Sequence, residues 1–137
     1  MDEIKDYPPN FSEIQSILHS PSNAIYTWGN VVYNPSGLEI PLDIIEHEKI
    51  HQKQQEGWNI EAWWKRYLYD SLFRERMEVE AYAHQFMFIK SYYPSKAHKE
   101  ALDELATNMV TLYAVPLSFY QAETKIRKLC HSLSKTA

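Results

Sequence analysis

Apolar positions recur along most of this chain with the 3.6-residue period of a helix, and only one short stretch reads as strand. Phe11, Ile14, Ile17 and Leu18 place a helix over 11–18, with Asn10 or Ser12 as its cap and an end near Ser20-Pro21. Ala24–Trp28 and Val31–Tyr33 are rich in β-branched and aromatic residues and flank Gly29-Asn30, which predicts a hairpin with glycine first in its turn. Asn34-Pro35-Ser36-Gly37 reads as a further turn. Pro41 stands at the start of a helix that carries Leu42, Ile44, Ile45 and Ile50 and runs to about Glu56, where Gly57 supplies a left-handed stop. Asn59 caps a helix bearing Ile60, Trp63, Trp64, Tyr67 and Leu68. A longer helix is expected from about Phe73 to Tyr92, ahead of Pro94, and another from Ser95 with Leu102, Leu105, Met109 and Leu112 on one face. Ser118-Phe-Tyr-Gln121 is a capping box before a last amphipathic helix with Ala122, Ile126, Leu129 and Leu133. The first ten residues, with Tyr7-Pro8-Pro9 extended, read as a poorly ordered lead. The pattern predicts a single α+β domain over 1–137, predominantly helical, with one short β-hairpin and no internal repeat or linker.

Composition narrows the class. With 137 residues, 45% hydrophobic and 23% charged, the chain is long enough and apolar enough to bury a core. A net charge of −4 with lysines and arginines scattered leaves no basic footprint, so nucleic acid is not an expected partner. No apolar run approaches the ~18–20 residues of a membrane span. The acidic, polar start is unlike a secretory leader, and the single cysteine, Cys130, fits a reducing compartment, so a cytoplasmic location is expected. Cys130 lies at helical spacing from Ile126 and Leu133 and reads as a small core residue rather than a nucleophile. The aromatic content, 14%, suggests a core thickened by rings, with Trp63 and Trp64 as core or groove wall.

The chemistry sits in His47-Glu48-Lys49-Ile50-His51, which reads H-E-x-x-H. On a helix, residues four apart share a face, so His47 and His51 can offer two imidazoles to one Zn²⁺. Glu48 lies one step round from His47, close enough to act as a general base on a metal-activated water without being a ligand. With this composition the pattern arises by chance with a probability of roughly 0.02, low enough to treat it as a signal. A catalytic zinc needs a third protein ligand, and a carboxylate downstream would complete a His₂Glu site. Glu78 and Glu80 are the candidates, and their side chains point about 200° apart on one helix, so only one can face the motif. Glu78 shares a stripe with Tyr82, Gln85 and Ile89, whereas Glu80 lies between Arg76 and His84 and reads as exposed or ion-paired. Glu78 is therefore the choice, with Glu80 the alternative. His19, His98 and His131 read as exposed polar positions outside any metal site. Tyr82 and His84 are the candidates for an oxyanion donor, His84 more naturally as a core histidine.

H-E-x-x-H joined by a glutamate on a later helix resembles the gluzincin branch of the zinc metallopeptidases. Glu78 and Ala81 match the E and A of that branch's E-x-x-A-D, but Tyr82 stands where its aspartate would be. That aspartate supports a zinc-ligating histidine, so the resemblance leaves His47 or His51 to be oriented by some other group. A nearer likeness, over roughly 24–90, is to small bacterial and phage zinc metallopeptidases, which carry a hairpin, H-E-x-x-H-x-x-Q-Q, a Trp-rich helix and E-x-E-A-Y. Here these are His51-Gln-Lys-Gln54-Gln55, Trp58 with Trp63-Trp64, and Glu78-Val-Glu80-Ala-Tyr82. The resemblance implies a minimal zincin-like domain with its hairpin before the motif helix, Zn²⁺ as cofactor, and a peptide or protein as substrate.

The expected function is that of a zinc-dependent metallopeptidase or amide hydrolase, with His47, His51 and Glu78 on the metal and Glu48 as base. The hairpin edge, Ile25–Trp28 or Val31–Tyr33, is a candidate strand for an extended peptide to pair with. A rival from another class is a non-catalytic binding or regulatory module with a retained metal site, supported by the missing aspartate and opposed by Glu48. A hydrolase for a non-peptide amide or for peptidoglycan cross-links is a further possibility, although no wall-binding segment is legible. The C-terminal third, from Ser95, carries no readable chemistry.

Overall fold

The computed structural model describes residues 1–136. In chain order the elements are β1 (Asp2–Ile4), α1 (Phe11–Leu18), β2 (Tyr26–Trp28), β3 (Val31–Tyr33), α2 (Leu42–Gln55), α3 (Ile60–Tyr69), α4 (Ser71–Tyr92), α5 (His98–Leu112) and α6 (Phe119–Thr136), with a single 3-10 turn at Ser95–Ala97 before α5. This is the predominantly helical α+β arrangement that the pattern predicts. Several ends are set by the residues expected to set them. Asn59 Oδ1 accepts from the Ala62 amide at 3.1 Å, and Ser118 and Gln121 exchange the two bonds of a capping box at 2.9 and 3.2 Å. Asp70 ends α3 and caps α4 through the Leu72 and Phe73 amides, so the long helix begins at Ser71 rather than near Phe73.

The sheet has three strands in the order β1-β3-β2. β2 and β3 form the expected hairpin, Tyr26 opposite Tyr33 and Trp28 opposite Val31, around Gly29 at a φ of +62°. β1 corrects the reading of residues 1–10 as a loose lead: Asp2–Ile4 runs parallel to β3, with Glu3 opposite Val32. Its three side chains are all exposed, so it carries no alternating pattern to betray it. Backbone pairing holds it, together with the buried Asn34 amide, whose Nδ2 donates to Glu3 Oε2 at 2.9 Å and to the Leu38 carbonyl at 2.7 Å.

Helix α4 is the centre of the molecule. It packs against α2 and α3 on one side and against α5 and α6 on another. Its buried residues therefore run round the helix, from Phe73 through Glu78, Ala81, Tyr82 and Gln85 to Ile89. Two cores result. One joins α4 to α5 and α6 through Phe86, Leu105, Met109, Ile126 and Cys130. The other gathers Ile14, Tyr26, Trp63, Trp64, Tyr67 and Phe73 from α1, β2, α3 and the start of α4. Cys130 is buried, as its spacing predicts. No helix among the described residues is long and apolar enough to cross a membrane.

Candidate metal centre

His47, Glu48 and His51 lie in the interior of α2 on the side turned to α4, each less than a tenth exposed. Glu78 is about two turns into α4 and is 1% exposed. The fold brings the three expected ligands together. His47 Nε2 and His51 Nε2 are 3.1 Å apart, His47 Nε2 is 3.3 Å from Glu78 Oε1, and His51 Nε2 is 3.2 Å from Glu78 Oε2. Ligand atoms held about 2.0–2.1 Å from a tetrahedral zinc lie roughly 3.3–3.4 Å from one another, so these separations suit one ion. Glu80 does not join them. It is exposed and accepts from Gln54 Nε2 at 3.0 Å.

The hydrogen bonds behind the ligands decide which way their lone pairs point. Gln85 Nε2 donates to the Asp43 carboxylate at 2.8 Å, which fixes the amide and turns its oxygen to His47 Nδ1 at 2.9 Å. Gln54 Nε2 donates to the Met77 carbonyl at 2.9 Å and to Glu80, so its oxygen faces His51 Nδ1 at 2.8 Å. Each Nδ1 therefore carries the proton of its neutral imidazole, and each Nε2 presents a lone pair inward. Two nitrogen lone pairs and a carboxylate oxygen then converge in a buried space with no donor between them. Glu78 Oε1 is buried without a hydrogen-bond partner, while Oε2 accepts from the Tyr67 hydroxyl at 2.5 Å. Such a cluster is unfavourable unless a cation, either a metal ion or a proton, sits among its atoms.

The titration of the cluster says the same. Burial disfavours a charged imidazole at His51, yet the Glu78 carboxylate beside it, with Glu48 and the Gln54 bond, outweighs burial and lifts it from 6.5 to about 9. Burial acts to raise Glu78, but His51 and His47 hold its carboxyl well below the usual carboxylate range. The hydroxyls nearby keep their protons: burial and the Glu78 charge push Tyr67 and Tyr82 upward. Tyr67 is thus a permanent donor to Glu78.

Glu48 stands beside the ligand set without joining it. Its Oε1 accepts from the Thr27 hydroxyl of β2 at 2.9 Å, and its Oε2 lies 4.0 Å from His47 Nε2. The hairpin is locked to α2 and α3 at the same place. Gln55 Nε2 and Trp64 Nε1 both donate to the Thr27 carbonyl, at 3.0 and 3.1 Å, and Gln55 Oε1 accepts from the Gly29 amide at 2.6 Å.

A cavity of about 250 Å³ opens beside these groups, lined by His47, Glu48, His51 and Glu78 along with Thr27, Tyr82 and Tyr113. Of the two suggested oxyanion donors, Tyr82 lines this cavity, packed edge-on to His47 with ring centroids 4.5 Å apart, and His84 does not. His19 and His131 are exposed and His98 bonds the Tyr93 carbonyl, so all three stand apart from the cluster, as expected. Tyr67, Gln85, Gln54, Asp43 and Thr27 are the site residues that the sequence did not single out in these roles. Gln54 was within reach of inspection, three residues after His51 on the same helix. Thr27 and Asp43 were not, because their partners are 21 and 42 residues away. Among known proteins, no family model, no curated protein and no solved structure matches the chain.

Proposed function

We propose that the chain is a zinc-dependent peptidase or amide hydrolase, with His47, His51 and Glu78 as its metal ligands and Glu48 as its general base. The observation that carries this reading is the inward convergence of two Nε2 lone pairs, 3.1 Å apart, on the buried Glu78 carboxylate, whose unpartnered Oε1 is 3.3 Å from His47 Nε2 and whose Oε2 is 3.2 Å from His51 Nε2. The donor set, two imidazoles and a carboxylate, is the one that catalytic zinc takes while keeping a position for water. Zinc held there would supply Lewis acidity toward a carbonyl and an acidified water. The chain's own groups do the rest. Gln85 and Gln54 hold the imidazoles in the tautomer that can ligate, and Tyr67 fixes the carboxylate. Thr27 holds Glu48 by one oxygen and leaves the other to take the water's proton and deliver it to the leaving nitrogen.

The alternative, a binding or regulatory module with a structural metal, has no use for Glu48. Burying a second carboxylate 4.0 Å from a ligand nitrogen costs desolvation and returns nothing to a site that only holds an ion. Metal analysis and a peptide-library digest of three variants test the proposal. Glu48→Gln is expected to keep one zinc per chain and lose hydrolysis by about a hundredfold or more, whereas Glu78→Ala loses the zinc. Full zinc in Glu78→Ala together with its loss in Glu80→Ala would overturn the ligand assignment.

A further inference from the structure

The cavity beside the ligand cluster has a charge inventory that restricts what can occupy it. Its walls away from the cluster are uncharged and mostly apolar: Ile14 and Leu18 of α1, Ala24 and Ile25 before β2, Ile44 of α2 and Leu112 of α5, with Ser20, Asn23 and Asn108 as neutral polar positions among them. No lysine, arginine or aspartate lines it among the described residues, and its carboxylates are Glu48 and Glu78 alone. Both are already engaged, Glu48 with Thr27 and Glu78 with Tyr67 and the two histidines. Two carboxylates and one divalent cation sum to zero charge. A carboxylate at a chain end finds no cationic side chain on the wall, and a terminal ammonium finds no acid beyond the two carboxylates whose charge that cation offsets. A charged side chain would be desolvated there without a partner.

Size sets a second limit. An apolar space of about 150 Å³ holds a benzene ring. A cavity of about 250 Å³ therefore takes one aliphatic or aromatic side chain with the adjoining peptide unit, and not a folded domain or a sugar chain. A third limit comes from the strand edge. The Thr27 carbonyl already accepts two bonds, from Gln55 and Trp64, so it is closed to an added strand, and selectivity falls to the cavity rather than to main-chain pairing along β2.

The geometry points to an endopeptidase site that takes an internal, uncharged stretch of extended chain with an aliphatic or aromatic residue at the cleaved bond. This rests on the hydrolase reading above and adds the substrate class. Hydrolysis there consumes one water. Its oxygen bonds to the carbonyl carbon, the C–N bond breaks with its electron pair going to nitrogen, and the nitrogen takes the proton that Glu48 carries.

The test uses four synthetic peptides with the zinc-loaded chain. The first is acetylated and amidated, with Leu-Phe at its centre between glycine and serine residues. The second and third replace that pair by Asp-Asp or Lys-Lys. The fourth carries Leu-Phe at an unblocked terminus. Cleavage by wild type is followed by mass spectrometry, and binding to Glu48→Gln by tryptophan emission, since Trp63 and Trp64 line the cavity. The blocked Leu-Phe peptide is expected to be cut internally and to bind, with the other three at least about tenfold poorer in both readouts. Equal cleavage of the charged peptides, or stepwise removal of residues from the free end, overturns the substrate class and leaves the hydrolase reading standing. Selective binding of the blocked peptide without cleavage by wild type overturns the hydrolase reading and keeps the occupant. Neither binding nor cleavage of it overturns both.

Discussion

Gln85 and Gln54 do for the two histidines what a carboxylate does in the gluzincin pattern. An amide oxygen is a weaker acceptor than a carboxylate, but each of these amides is itself fixed at its nitrogen end, Gln85 by Asp43 and Gln54 by Met77 and Glu80. The absence of an aspartate at Tyr82 is thus met by a different residue seven positions after Glu78, on the same face of α4. Replacing Gln85 by Leu frees His47 to turn or to change tautomer. Zinc affinity, measured by competition with a chelating dye, is expected to fall about 10- to 100-fold with the fold retained. Gln85→Glu combined with Asp43→Asn, which keeps an acceptor toward His47 and a donor–acceptor pair behind it, is expected to keep most of the affinity.

At the scale of elements, the site depends on how α3 and α5 end. Arg74 at the start of α4 is buried, and its guanidinium donates to the carbonyls of Tyr67 and Leu68 at the end of α3 and of Tyr113 and Ala114 after α5. Those carbonyls have no helical partner of their own. Two of the four belong to tyrosines that line the cavity, Tyr67 and Tyr113. One side chain thus ties three helices together and sets where the Glu78 partner stands. Arg74→Met removes four charge-assisted bonds and leaves buried carbonyls unpaired. It is expected to cost about 3 kcal/mol or more in urea unfolding, well beyond a surface arginine. Sequence spacing gave no warning of this, since an arginine in the first turn of a helix reads as solvated.

For the whole molecule, the cluster couples stability, pH and metal. His51 titrates near 9 when folded against 6.5 as a free imidazole, so its contribution to the metal-free chain is fully present below about 6.5 and is lost as pH rises through about 9. Glu78 is depressed, so its contribution is present above about 4.5 and is lost as pH falls through its folded value. Thermal melts in a chelator are therefore expected to peak between about pH 4.5 and 6.5 and to decline toward 9. Under the proposed zinc site the trend is expected to reverse, because the proton on His51 must leave before the nitrogen can ligate. Apparent zinc affinity is expected to rise about tenfold per pH unit up to about 9, and the zinc-induced rise in melting temperature to grow with it. A zinc effect independent of pH across that window would refute the inward-facing Nε2 of His51.

The local parts of this protein were legible in its residues. Most helix bounds, though not the starts of α4 and α5, the hairpin at Gly29, the capping box at Ser118, the placing of two histidines on one face and the preference for Glu78 over Glu80 follow from periodicities of 3.6 and 2 and from turn chemistry, which act over a few residues. β1 was invisible because an exposed strand held by backbone pairing and a single Asn34–Glu3 bond needs no alternating side-chain pattern. Thr27 on Glu48, Asp43 behind Gln85 and the four carbonyls on Arg74 were equally hidden. Each joins elements that the sequence orders but does not bring together, and only the packing of α2, α3 and the hairpin around α4 turns the lone pairs inward and gives the cavity its uncharged walls.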